Sequence, residues 1–261
     1  MKTILFLSLL MSSTLYACDN SVQVKDYSAT FVSLNNSDGL NTAEKDIQNA
    51  MNQSFMQQDV TPLNVVIQSL EALPDNEWSD YWTAFALYRK AIFQAYGAGG
   101  EGSEETTKTA LNLLEGIKNK TSEHYALQGM VRSFSIQFAS GMKAGIVAAK
   151  ISSDFKKAVK LDDQNMRAYY GMGASDYYTP EQYGGGKKVE EYIKKAITLE
   201  DQYHNNPVLP TWGKDEAYEI LLRHYIKKEQ YEDAKTLFTQ AMADFPGHYQ
   251  LTQVGAELVG K

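Results

Sequence analysis

Residues 168–196 constrain the fold of this chain more than any other stretch. They contain two segments of helical period, separated by a break at Pro180 and at the three glycines 184–186. Proline and glycine interrupt helices, so the pattern predicts a helical hairpin. Similar pairs of segments recur on both sides of it, and few β-branched alternating runs lie between them. The sequence therefore predicts an all-α fold.

The last predicted pair, residues 214–243, shows the pattern of large and small residues most clearly. Ala234 and Ala241 on its second helix let two backbones approach each other, and Phe238 fills the space between them. Pro246 then prevents the helix from continuing. This pattern resembles the tetratricopeptide repeat, a helical hairpin that stacks into solenoids.

The hairpin at 168–196 matches the same repeat next best, through Tyr169, Met172 and Gly173 on its first helix and Ile193 on its second. Corresponding alanines at 158, 196 and 241 are 38 and 45 residues apart. A plain repeat has about 34 residues, so these units carry loop insertions. The resemblance implies a right-handed α-solenoid of four to five helical hairpins in residues 42–261.

A second resemblance rests on residues 177–188, with the sequence YYTPEQYGGGKK, and on residues 210–214, with the sequence PTWGK. Both segments look like those of a family of bacterial exported tetratricopeptide proteins. They are more distantly similar to the periplasmic helical subunit associated with tripartite (TRAP) transporters for organic anions. Neither resemblance brings an enzymatic activity with it.

The N-terminal residues have the features of an export signal. Lys2 precedes a short apolar run, and small and polar residues follow, so residues 1–17 are predicted to be a signal peptide. The sequence around Cys18 resembles a bacterial lipobox, which predicts lipidation at Cys18 and an exported protein in the periplasm or cell envelope. The alternative is simple cleavage after Ala17. Residues 18–41 are predicted to be a flexible polar spacer.

The charge of the chain argues against two kinds of partner. The net charge is −7, and removal of residues 1–17 takes away one lysine and no acid, which makes it −8. Nucleic-acid binding depends on neutralising phosphates, so no nucleic-acid partner is expected. An acidic protein without basic clusters is equally unlikely to bind an acidic membrane surface, so membrane contact is expected only through the lipid anchor.

Known catalytic and metal-binding motifs are missing from the sequence. It contains no His-Glu-x-x-His, Cys-x-x-Cys or Gly-x-Ser-x-Gly pattern, and its four histidines are scattered. We therefore expect no enzyme, no metal and no cofactor, and histidines that are exposed or incidentally hydrogen-bonded. The glycines at 184–186 before Lys187 are predicted to form a tight connection between helices, with an anion-binding turn as the alternative.

Arginine usage gives the best indication of a binding surface. The chain has only four arginines, and each falls on the first helix of a predicted pair. The resemblance places first helices on the concave face of the solenoid, and arginine and tyrosine are favoured at binding hot spots. The candidate groove residues are Arg167, Tyr170, Tyr177, Tyr178, Glu219 and Arg223.

Two functions fit these residues. The first is a non-enzymatic scaffold in the bacterial cell envelope whose groove binds a protein or peptide partner. The second is a periplasmic accessory protein of a transporter that binds a small anion. In either case the arginines have a structural alternative, in which they form pairs with carboxylates of adjacent helices while the tyrosines serve for packing.

Overall fold

Helices make up the regular structure of the described residues, 38–97, 101–200 and 206–261 of a computed structural model. The predicted signal peptide 1–17, Cys18 and most of the predicted spacer lie outside them. Two 3₁₀-helices, Ile136–Phe138 and Glu181–Tyr183, accompany eleven α-helices in this part of the chain. The α-helices are α1 (Asp38–Gln57), α2 (Thr61–Glu71), α3 (Glu77–Tyr96), α4 (Ser103–Gly116), α5 (Ser122–Ser135), α6 (Met142–Leu161), α7 (Met166–Tyr178), α8 (Val189–Thr198), α9 (Lys214–Lys227), α10 (Tyr231–Asp244) and α11 (Tyr249–Ala256).

The odd-numbered helices form one layer and the even-numbered helices form a second layer. Each odd-numbered helix packs against the next odd-numbered helix, from α1 to α11. Each even-numbered helix packs against the odd helix before it and the odd helix after it. Five hairpins and a final helix thus stack in sequence, because each hairpin buries its apolar face against its neighbours. This arrangement confirms the predicted all-α, tetratricopeptide-like solenoid.

Helical structure begins earlier than the predicted boundary at residue 42. The first helix starts at Asp38, within the segment that was predicted to be spacer. Thr42 lies inside this helix, and its hydroxyl donates to the Asp46 carboxylate one turn later at 2.7 Å. Ala43, Ile47 and Ala50 are buried, so tertiary packing holds this part of the helix in place.

Phe155 of α6 is wedged between the two odd helices α5 and α7. A Cβ atom on Gly129 of α5 would lie 2.7 Å from the Phe155 ring, and one on Gly171 of α7 would overlap the same ring. Both positions therefore need glycine, since only the absence of a side chain lets the ring enter between the helices. The small residues of this fold set how closely its two layers approach.

Gly171→Ala should lower the free energy of unfolding by about 1–3 kcal/mol, because the new methyl group forces the Phe155 ring out of its position. Chemical denaturation monitored by circular dichroism measures this loss. Gly145→Ala is the matched control, since Gly145 lies in α6 with no atom within 4 Å of its added Cβ. The free energy of unfolding of this control should rise by about 0.5–1 kcal/mol, because alanine has a higher helix propensity than glycine. Equal effects of the two changes would contradict the wedge.

Candidate interaction surface on the odd-numbered helices

Arg167 lies in the interior, between α5 and α7. Its Nε and Nη2 atoms donate to the two carboxylate oxygens of Glu123 at 2.7 and 2.9 Å, and both side chains are almost fully buried. Its Nη1 atom donates to the carbonyl of Trp212 at 3.2 Å. The structure thus places Arg167 in the arginine–carboxylate pair that the sequence left open as the structural alternative. A forked, two-bond pair of this kind fixes both side chains in orientation.

Two further arginines also pair with carboxylates across helices. Arg89 of α3 contacts Glu216 of α9 at 2.6 Å, and the pair is largely buried. Burial raises the pKa of the Glu216 carboxyl, against the opposing effect of the Arg89 charge. Arg132 of α5 donates to Asp154 of α6 at 2.7 Å and to Glu115 of α4 at 2.8 Å. The first pair joins helices that are distant in sequence, and Arg132 joins α5 to the helices before and after it.

Residues 206–213, which we call the strap, cross the odd layer before α9 begins. The indole nitrogen of Trp82 in α3 donates to the carbonyl of Val208 at 2.8 Å. The backbone N–H and the hydroxyl of Thr211 both donate to the Glu44 carboxylate of α1 at 2.7 Å. The strap therefore ties the start of the last full hairpin to the first two hairpins.

Trp212 is the residue of the strap that enters the odd layer. Its ring stacks on Phe85 of α3 at 4.7 Å with an interplanar angle of 21°, and its indole N–H donates to the Tyr81 hydroxyl at 3.2 Å. On the other side it meets Tyr170 edge-on at 6.5 Å and lies 5.8 Å from the Arg167 guanidinium. Trp212 is buried. It covers Tyr170 and Arg167, so these two predicted groove residues lie beneath it.

The accessible part of the odd layer lies at the C-terminal halves of the same helices. There Tyr178 is 58% exposed and meets Tyr177 edge-on at 5.1 Å. Phe134 meets Tyr88 at 5.8 Å and Tyr96 at 6.3 Å. These five rings, Tyr88, Tyr96, Phe134, Tyr177 and Tyr178, come from α3, α5 and α7, and we call them the aromatic surface.

A charged group lies beside the aromatic surface. Arg223 of α9 donates to Glu219 at 2.9 Å and lies 3.6 Å from Glu257, which follows α11. About a quarter of each side chain of the Arg223–Glu219 pair is exposed. Burial raises the pKa of the Tyr177 phenol. The nearby Arg223 charge lowers this pKa and the Glu219 charge raises it. Of the six predicted groove residues, the structure thus brings Tyr177, Tyr178, Glu219 and Arg223 together at the accessible surface.

The glycines at 184–186 form a tight connection between α7 and α8. The N–H groups of Gly184 and Gly185 donate to the carbonyls of Glu181 and Pro180 at 2.9 and 3.3 Å, and the N–H of Gly186 donates to the Asp176 carbonyl of α7 at 2.9 Å. Gly184 and Gly186 have positive φ angles of 91° and 78°. A backbone N–H that is already bonded cannot bind an anion, so the geometry favours the connection over the anion-binding turn.

The histidines and acids do not form a metal site in the part of the chain that the structure describes. No group of three His, Cys, Asp or Glu residues there could hold a metal ion. His124 is fully buried and hydrogen-bonded, so it has the second of the two states expected for the histidines. Its Nδ1 accepts from the Thr121 N–H at the start of α5, its Nε2 donates to the Glu77 carbonyl, and burial lowers its pKa. His204 lies outside the described residues.

None of the helices in the described ranges combines the length and apolar character that crossing a bilayer requires.

Comparison with known proteins identifies the architecture. No family model and no curated protein matches the sequence. A thermophilic TPR protein of Thermus thermophilus matches with a TM-score of 0.54 and 15% identity, over 82% of this chain and 99% of that one. The HusA haemophore from Porphyromonas gingivalis matches with a TM-score of 0.47 and 20% identity, over 69% and 94%. The described chain has the fold of a tetratricopeptide-like helical solenoid.

Proposed function

We propose that this protein is a non-enzymatic scaffold that binds a segment of a partner protein across the aromatic surface. The observation that carries the proposal is the exposure of Tyr178 beside Tyr177 and the Arg223–Glu219 pair. Tyrosine and arginine give large contact areas at a low cost in conformational entropy, and they are enriched where binding energy is concentrated. A protein segment that lies across α3, α5, α7 and α9 would contact these residues together.

The strap restricts where a partner segment can bind. It covers the N-terminal halves of α3 and α7, where Trp212 is buried against Phe85 and Tyr170. A partner would therefore use the C-terminal halves of the odd helices, where the aromatic surface is accessible. A partner segment would then bind along one edge of the odd layer, without direct contact to the buried Arg167–Glu123 pair.

The geometry favours a protein segment over a small anion. A pocket for a small anion needs guanidinium groups that converge without competing carboxylates. Every arginine that the structure describes contacts at least one carboxylate. We place the scaffold in the bacterial cell envelope on the basis of the signal-like residues 1–17 and the lipobox-like sequence at Cys18.

Site-specific photocrosslinking in the native cells tests the proposal. A photoreactive phenylalanine at position 178 should give discrete protein adducts, whereas the same residue at position 249 should not. Tyr249 is the matched control because it is 62% exposed and lies at the start of α11. Arg223→Ala should reduce the adducts at position 178 at least fivefold, which corresponds to a loss of about 1 kcal/mol. Equal adduct patterns at 178 and 249 would contradict the proposal.

A further inference from the structure

Helix α6 differs in charge from the rest of the protein. The whole chain has 25 basic and 32 acidic residues, yet α6 contains five lysines and a single acid, Asp154. Asp154 does not offset these lysines at the surface, because it is buried and bonded to Arg132 and Gln128. The solvent side of α6 is thus a strongly basic strip on an acidic protein.

The lysines of α6 share the solvent side of the helix. Lys150, Lys157 and Lys160 follow one another at spacings close to whole helical turns, and Lys143 and Lys156 flank them. All five are exposed, and no ion pair joins any of them to another residue in the described ranges. Lys157 lies over the ring of Tyr125 at 5.3 Å, a contact that leaves its charge at the surface. Their charges are therefore available to a partner. The cluster spans 18 residues, so it does not stand out as a compact basic run in the sequence.

The first turns of α6 carry bulky apolar side chains on the same side. Met142 is 84% exposed and Ile146 is 54% exposed, and their four-residue spacing places them on one face. That face continues into the lysine strip through Lys150. Exposed apolar side chains and lysines without ion pairs supply the two contributions by which a helix binds an anionic bilayer surface, apolar burial and electrostatic attraction.

The shape and composition of this face favour a bilayer over a protein segment. The depression on α6 is lined by residues of α6 alone, so it is an open surface feature and not a groove between two helices. Helical or extended peptides are recognised in grooves or at sheet edges. All five cations are lysines, which protein–protein interfaces disfavour while they enrich arginine. A flat lipid surface needs neither a groove nor the forked geometry of arginine.

We propose that the solvent face of α6 binds the surface of an anionic phospholipid bilayer. The lysines would contact lipid phosphates, and Met142 and Ile146 would enter the interface between headgroups and acyl chains. This contact is independent of the aromatic surface, which lies on the odd helices, and it adds a second membrane contact to the anchor predicted at Cys18. It would hold the solenoid flat against the membrane with its odd layer open to partners.

Vesicle sedimentation of the full chain tests this contact, in a Cys18→Ser background that prevents acylation at residue 18. Vesicles of phosphatidylcholine with 30% phosphatidylglycerol should bind the protein at least tenfold more tightly than pure phosphatidylcholine vesicles. Residues 1–17, which include Lys2, are present in every variant, so any preference that they add is the same in the α6 variant and in its control. The preference should fall steeply between 50 and 300 mM NaCl. No preference for the anionic vesicles would overturn the proposal.

Two variants of equal net charge locate the contact. The α6 variant changes Lys150, Lys156, Lys157 and Lys160 to glutamine. It should bind the anionic vesicles at most about twofold more tightly than the neutral vesicles. The control variant changes four exposed lysines on other elements, Lys45, Lys118, Lys187 and Lys195, and should retain most of the preference. Equal losses in the two variants would show an effect of net charge alone and would overturn the assignment to α6.

An environment-sensitive dye reports on the apolar end of the face. In the same background, a nitrobenzoxadiazole dye on Ile146→Cys should increase its emission when anionic vesicles are added. The matched control is Met56→Cys, because Met56 of α1 is 85% exposed and lies on another helix. No increase at position 146, or equal increases at both positions, would contradict insertion of this part of α6.

Discussion

Trp212→Ala should lower the free energy of unfolding by about 3–5 kcal/mol, the largest loss we expect from a single change in the strap. The substitution removes a buried indole that stacks on Phe85 and meets Tyr170, and it leaves a cavity between α3 and α7. It also leaves the buried Tyr81 hydroxyl without the indole donor. Urea denaturation, followed by far-ultraviolet circular dichroism and by tryptophan fluorescence, measures the loss.

Two further substitutions show whether the loss comes from the position of Trp212. Trp212→Phe keeps a stacked ring and loses the hydrogen bond to Tyr81. It should therefore lower the free energy of unfolding by less than half as much as Trp212→Ala does. Tyr183→Ala removes an aromatic ring that is 76% exposed and should change stability by less than about 0.5 kcal/mol. If Trp212→Ala lowered the free energy of unfolding no more than Tyr183→Ala, the strap would not stabilise the odd layer.

The strap also shows what the sequence could and could not predict. Local period and residue size predict the hairpins, because Ala234, Ala241 and Phe238 act within one helical pair. The path of the strap depends on contacts such as Trp82 with Val208, which are 126 residues apart. An irregular segment has no periodicity, so no local pattern indicates which helices it will cross. The sequence PTWGK supported a resemblance but gave Trp212 no role.

The same distinction applies to the candidate site, because local patterns predict some of its residues and not others. Sequence reasoning selected Tyr177, Tyr178, Glu219 and Arg223, which the structure brings together at an accessible surface. It missed Tyr88, Tyr96 and Phe134, because rings on separate helices are joined only by the stacking of hairpins. The helical period of these residues was a usable signal, since it places Tyr96 and Phe134 at the C-terminal ends of first helices and Tyr88 in the C-terminal half of its helix. The burial of Arg167 depends on Glu123, 44 residues away, and no local pattern gives that pairing.

Arg167→Ala should destabilise the protein by about 3–5 kcal/mol, because it leaves the Glu123 carboxylate buried without its guanidinium partner. The double change Arg167→Met with Glu123→Leu should recover most of this loss, since it removes both charges and keeps the volume. Thermal and urea unfolding of Arg167→Met, Glu123→Leu and the double variant form a mutant cycle that isolates the coupling between the two side chains.

This cycle separates a structural arginine from a binding arginine. If Arg167 acts through folding, the stable double variant should keep the photocrosslinked adducts at position 178, although it has no charge at position 167. Arg223→Ala provides the contrast, because Arg223 is partly exposed and should lose adducts with a stability change below about 1 kcal/mol. Loss of the adducts in a fully folded double variant would show that Arg167 takes part in binding the partner. Retention of the adducts would mean that the buried pair holds α5 and α7 in register while the aromatic surface makes the contact.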